Sequence, residues 1–293
     1  LFDQQISEWP LLQSNIEALK SIERRHISFN DFGFEVQHNP ARERSTCADT
    51  RKTAIEIRPC FLCINNLPPQ QKGILLLNRY LLLANPYPIF EHHLTISDIE
   101  HTPQNISNRL IDLLEITRML NSYTVFYNGP ACGASAPDHF HFQACPFGAM
   151  PIDNELITLG QSFVKETFKN EKIVISKIDN YLRTVFVFES DDSKEIIAQA
   201  EKLIETLPFH AESGEPMFNL MCNYQKEKYR LLLFPRIAQR PQCFYKTGSE
   251  QLVVSVASVE LGGIIVTPRH VDYLKITKDD LVKIFEEVTL KYT

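Results

Sequence analysis

Over residues 9–22 apolar side chains fall at Leu11, Leu12, Ile16, Leu19 and Ile22, and Pro10 stands where a first helical turn has no amide to lose. The pattern predicts an amphipathic helix. Residues 29–36 alternate enough for one strand, and the polar run 37–45 after them reads as a loop. Short apolar runs at 74–77, 80–84 and 93–96 are of strand type, with Pro86 and Pro88 punctuating the chain between the last two. A helix is expected over 105–120 on the stripe Ile106, Leu110, Leu113, Leu114 and Met119, then a strand over 123–127. Strand, strand, helix, strand, strand is the order of an antiparallel sheet with helices packed on it.

The second half echoes that order. Residues 154–168 read as helix, 172–177 and 182–189 as a hairpin across Asp179-Asn180, and 193–207 as a helix striped by Ile196, Ile197, Ala200, Leu203 and Ile204. Strands are expected at 217–224, 230–234, 252–258 and 263–267, before a closing helix that starts on a weakened capping box, Thr277 to Asp280. Residues 92–96 and 262–266 each read as a strand leading to a His-bearing loop and a helix, a weak sign of internal duplication. No flexible linker separates the halves. The expectation is a single α+β structure, antiparallel sheets with packed helices, built from a half at 1–150 and a second at 151–293.

Composition narrows the function. A chain of 293 residues with net charge −6 and no long Lys/Arg run is a poor general nucleic-acid binder. No apolar run approaches the ~20 residues of a membrane span, and residues 1–5 lack the basic start of a signal peptide. Seven cysteines, an odd number scattered through a long chain, point to reduced thiols in a cytoplasm.

The chemistry concentrates at 131–143. A strand over 139–143 would turn His139, His141 and Gln143 to one face and Phe140 and Phe142 to the other. The loop of small residues before it, 131–138, lets backbone N–H groups approach an anion. A neutral imidazole attacks a phosphoanhydride well when its second nitrogen donates to a fixed acceptor, so His141 would form a nucleotidyl-histidine. Gln143 can donate to phosphate oxygens but cannot act as acid or base, which favours transfer over hydrolysis. Cys60 and Cys63 have the spacing of a metal-gripping pair, and equally that of two buried thiols. Arg42, Arg44, Arg51 and Arg58 form either a solvated loop or a phosphate-contacting arm.

The 139–143 segment resembles the His-Φ-His-Φ-Gln signature of the transferase branch of the histidine-triad superfamily. That branch holds galactose-1-phosphate uridylyltransferases, diadenosine tetraphosphate phosphorylases and GDP-hexose phosphorylases. Residues 127–144, 37–42 and 256–269 resemble segments of the GDP-hexose phosphorylases, and 85–94 resembles the superfamily's Pro-x-x-x-x-His-Φ strand. The resemblance implies a duplicated histidine-triad-like unit with the second half degenerate. It implies His141 as nucleophile, with Gln143 and Ser135 assisting, and Arg42, Asn39, Asn128, Gly133 and His139 at the substrate. By analogy with the uridylyltransferases it also implies a structural zinc or iron on Cys60, Cys63, His101 and His139, with His93 as an alternative third ligand. No organic cofactor is implied.

The expected activity is nucleotidyl transfer from a nucleoside diphosphate hexose with phosphate as acceptor. Diadenosine polyphosphate phosphorolysis and hexose-1-phosphate uridylyl exchange are the enzymatic alternatives, and a nucleotide-binding sensor is the non-enzymatic one. The GDP-hexose phosphorylases generally lack the cysteine pair, and the second-half His-x-His strand of the uridylyltransferases is missing here. Arg230, Arg236 and Arg269 are candidates for an acceptor-phosphate site, surface arginines being the plainer reading. No membrane or nucleic-acid partner is expected, and a homodimer is left open.

Overall fold

The computed structural model describes residues 1–49, 52–159 and 163–291. Its centre is a ten-stranded sheet in the order Gly73–Leu76, Tyr80–Ala84, Leu94–Asp98, His141–Pro146, Tyr123–Asn128, Phe218–Gln225, Lys228–Pro235, Val185–Ser190, Ile173–Ile178 and Val164–Lys169. Every neighbouring pair in it is antiparallel. Read inward from either edge, both halves of the chain lay down their strands in the same rank. The helices Leu110–Met119 and Ser193–Thr206 take corresponding places, each between its half's third strand and the strand at the seam. At that seam Asn128 lies opposite Asn219. The repeat is present, but its units are not those the sequence comparison matched. The counterpart of Leu94–Asp98 is Val185–Ser190, whereas Ile264–Thr267 runs parallel to Phe32–His38 in a separate three-stranded sheet.

Alternation along each strand sorts the side chains onto two cores. Val125, Tyr127, Phe140, Phe142, Leu220 and Leu231 face the two helices. Phe126, Cys145, Met221 and Leu232 face the other way, against the small sheet, the segment 252–256 and the closing helix Lys278–Val288. Fully burying one aromatic ring is worth roughly 2–3 kcal/mol. Phe140 and Phe142, both 0% exposed, therefore hold the register, and His141 and Gln143 are turned to the opposite face. The closing helix is fixed by the expected capping box, in which Thr277 and Asp280 exchange hydrogen bonds.

Several boundaries differ from the sequence reading. Residues 29–36 are not one strand but the middle of a hairpin, Glu23–Phe29 and Phe32–His38, turning at Asn30-Asp31. The helix expected from 105 begins only at Leu110, because Asn108 adopts φ 61°. The helix expected over 154–168 is Pro151–Thr158, and Val164–Lys169 beyond it is an edge strand paired with Ile173–Ile178. Residues 252–256 join no sheet. Their polar groups are met elsewhere, the Val253 N–H by Asp272 Oδ2 (3.0 Å) and the Val256 carbonyl by Arg236 (3.0 Å). The polar loop contains a 3-10 turn, Pro40–Arg42, and a short helix, Glu43–Thr46. Among the described residues no helix is long and apolar enough to cross a membrane.

Candidate active site

The strand carrying the signature begins at His141 rather than His139. Its first residue is clamped by Gln104, whose Oε1 accepts the His141 N–H (2.8 Å) and whose Nε2 donates to the carbonyls of His141 (3.0 Å) and Asn128 (2.9 Å). The His141 Nδ1 stands 2.9 Å from the His139 carbonyl, which can only accept. That contact assigns the proton to Nδ1 and leaves the lone pair on Nε2. Burial drives the His141 pKa down to about 4 against the pull of that carbonyl, so the ring is neutral at pH 7.

Gln143 is oriented by a relay. The Ile89 N–H donates to His93 Nδ1 (3.2 Å), so His93 carries its proton on Nε2 and donates it to Gln143 Oε1 (2.9 Å). With its carbonyl occupied, Gln143 presents its amide hydrogens to the cleft it lines. His93 stays neutral because burial, with help from the nearby Arg42 charge, lowers its pKa to about 3. It stands at Gln143, so it is not the alternative metal ligand that the sequence allowed.

The cleft is also lined by Arg42, Asn128, Gly133, Ser135 and Glu260. Asn128 Oδ1 accepts from Asn219 Nδ2 and from the Ser258 N–H, both at 2.9 Å, which turns its own amide hydrogens outward. Gly133 has φ +101°, and a Cβ there would stand 2.4 Å from the Ala257 Cβ, so only glycine lets the loop lie this close to the second half. Arg42 donates to the Tyr87 carbonyl (2.6 Å); burial lowers its pKa to about 10, opposed by Glu260, and it remains a cation. Glu260 is 6% exposed and accepts from the Ala257 N–H, and burial raises its pKa to about 7. His141 does not line the cleft itself but lies two residues along the same strand face from Gln143.

Cys60, Cys63, His101 and His139 meet beside this strand, one ligand atom of each within 4.8 Å of the others. Cys60 Sγ and Cys63 Sγ are 3.3 and 3.5 Å from His139 Nδ1, and Cys63 Sγ is 3.1 Å from His101 Nδ1. Donors around a tetrahedral ion, with bonds of about 2.1 Å to nitrogen and 2.3 Å to sulfur, stand roughly 3.5 Å apart. The set fits one such ion. His139 Nε2 lies 2.8 Å from the Asp98 carbonyl, which places the proton there and aims the Nδ1 lone pair at the thiols. Arg58 joins the cysteine segment to the signature loop through Asp138 (2.6 Å).

Of the residues expected at the substrate, Arg42, Asn128, Gly133 and Ser135 come to the cleft with Gln143, while His139 stands in the cysteine cluster. Asn39 is buried with its amide toward the Pro88 carbonyl (3.4 Å) and does not line the cleft. None of the three acceptor-site arginines reaches it either. Arg236 is buried against Asn219 Oδ1 and backbone carbonyls, Arg230 pairs with Glu189, and Arg269 pairs with Asp272. Arg51 lies outside the described residues, as does the side chain of Arg44. The sequence reading missed Gln104, one of several polar residues in an irregular segment without periodic signal. It also missed Glu260, whose segment it had singled out without assigning a carboxylate.

Residues 1–146 match a family described as a domain of unknown function (DUF4922), and residues 159–293 match one described as GDPGP1-like, C-terminal domain. No curated protein matches the sequence. Among solved structures, yeast Ap4A phosphorylase Apa2 is similar with a TM-score of 0.60 at 15% identity, over 96% of this chain and 94% of that one. Its complex with Ap4A gives 0.62 at 17% identity over 97% of each chain, and its complex with AMP 0.57 at 17% over 96% and 94%. At these identities the similarity speaks for the fold. Two family matches that together span nearly the whole chain, a shared fold, and the His-Φ-His-Φ-Gln segment place this protein in the transferase and phosphorylase branch of the histidine-triad superfamily.

Proposed function

We propose that the protein is a phosphorylase-type nucleotidyltransferase that opens a nucleoside diphosphate hexose at its α-phosphorus and passes the nucleotide to inorganic phosphate. The observation that carries this reading is the tautomer of His141, whose Nδ1–H is held by its own chain while Nε2 keeps a lone pair on the strand face shared with Gln143. In the first step Nε2 attacks the α-phosphorus, the bond to the bridging oxygen breaks, and hexose phosphate leaves with the electron pair. In the second a phosphate oxygen attacks the same phosphorus, the N–P bond breaks, and nucleoside diphosphate leaves. The His139 carbonyl supports the positive charge that develops on the ring. Gln143 donates to the α-phosphate oxygens, and Arg42, Asn128, Ser135 and the Gly133 backbone hold the remaining phosphate.

Cys60, Cys63, His101 and His139 would hold zinc or iron, and four protein ligands leave such an ion a structural role. Its contribution is to fix His139, whose carbonyl sets the His141 tautomer. Residues 1–150 carry the chemistry in this reading, and 151–293 complete the cleft through Ala257 and Glu260. All seven cysteines are free thiols, in keeping with a reducing cytoplasm. Phosphorolysis of a diadenosine polyphosphate is the second reading, favoured by the similarity to an Ap4A phosphorylase solved with Ap4A.

Intact-mass spectrometry tests both. The protein is mixed with GDP-, UDP- and ADP-hexoses without phosphate, then with Ap4A. A gain of one nucleoside monophosphate, lost on adding phosphate, is expected with one of the hexoses. An adduct with Ap4A alone would transfer the assignment to the second reading. With no adduct from any donor, or with unchanged turnover in His141→Asn, the covalent route is wrong.

A further inference from the structure

Away from the cleft, Glu23, His38 and His270 converge from three elements. Glu23 and His38 are directly opposed across the hairpin, and His270 opens the helix His270–Lys275, three residues after Thr267, which itself pairs with His38. One ring nitrogen from each histidine and a carboxylate oxygen of Glu23 lie within 4.8 Å of one another. His270 Nε2 is 2.9 Å and His38 Nδ1 3.7 Å from the same oxygen, Glu23 Oε1, and the two imidazole centroids are 4.9 Å apart. Nitrogen and oxygen donors bound at about 2.1 Å to a common ion stand roughly 3.0–3.5 Å apart. The two spacings to Glu23 bracket that range, and the two imidazole nitrogens lie within 4.8 Å of each other.

We propose that Glu23, His38 and His270 form a second metal site, for a first-row divalent transition ion such as Zn²⁺. Two imidazoles and one carboxylate are a nitrogen–oxygen donor set, chemically distinct from the thiolate-rich cysteine cluster. The ladder fixes two of the three donors in register without reorganisation. The Glu23 and His270 side chains are 53% and 50% exposed, and a groove lined by Ser21, Ile22, Glu23, His38 and Asn39 lies alongside. Open coordination positions are therefore left for water or for an oxygen ligand entering from that side. Asn39 already donates its N–H to the Thr267 carbonyl (3.0 Å), so an ion here reinforces the link between the helix start and the turn that delivers Arg42.

Co²⁺ is the probe, titrated into the full chain after metal is stripped from it, with uptake measured by equilibrium dialysis and thiolate ligation by near-ultraviolet charge-transfer absorption. Wild-type protein is expected to take up one Co²⁺ that adds no thiolate absorption. His270→Ala and Glu23→Gln should each weaken that ion by about tenfold or more while leaving any thiolate band unchanged. Both replace half-exposed side chains, and circular dichroism verifies that each variant is folded. Absence of a thiolate-free ion in the wild type, or its full retention in both variants, would overturn the assignment. Neither result depends on whether the protein forms a nucleotidyl-histidine.

Discussion

His93 touches neither the cleft nor the cysteines, yet it decides which end of Gln143 meets a substrate. Without its Nε2–H the Gln143 amide is free to flip. His93→Ala is therefore expected to lower kcat by about 100-fold, the scale of losing one aimed donor, with KM nearly unchanged; steady-state kinetics checks the split. Glu260 gives a second test. Its pKa, raised from 4.5 to about 7 by burial, means that between those values the native state holds a proton the unfolded chain has lost. Stability thus falls as pH rises through that window and stays lower above it. Glu260→Gln removes the dependence and should gain about 3 kcal/mol on wild type at pH 8 but little at pH 4, read by chemical denaturation. Residue types and their spacing singled out His141, Gln143 and the Cys60/Cys63 pair in the sequence, and the resemblance to the uridylyltransferases added His101 and His139 to that pair. The orientation of the Gln143 amide, the His139 tautomer and the role of Gln104 were not legible, since each depends on a partner tens of residues away.

At the scale of elements, the small-residue loop is held between the signature strand and residues 256–258. Gly133→Ala adds a Cβ at positive φ against Ala257 and is expected to destabilise by about 2 kcal/mol or more. Adding Ala257→Gly should recover the steric part and leave the backbone part, which a double-mutant comparison of Tm separates. Stripping metal with a chelator should lower Tm in wild type and lower it less in Cys60→Ser, because the ion would join residues 60–63 to His101 and His139. Element type was legible where the apolar pattern was strong, periodic in Ser193–Thr206 and continuous in Tyr80–Ala84. It failed at Val164–Lys169, where partner-strand pairing overrode a helical pattern, and at 252–256, where side chains of Asp272 and Arg236 replace a ladder.

Across the whole molecule the sheet runs unbroken through the seam, and both cores draw residues from both halves. The chain should unfold in one transition, with calorimetric and van't Hoff enthalpies agreeing; two resolved transitions would mean the halves are separate folding units. Strand order was not legible, because pairing between distant segments leaves no local trace and the second copy carries none of the first copy's polar signature. Where the first half has its histidine strand, the second has Lys228–Pro235, with Leu231, Leu232 and Leu233 at its centre. In the function proposed above, only one of the two topological copies carries reaction machinery. Nucleotide donor titrated against the protein should reach its endpoint at one equivalent, and any half-of-the-sites kinetics would have to originate between chains, never within one.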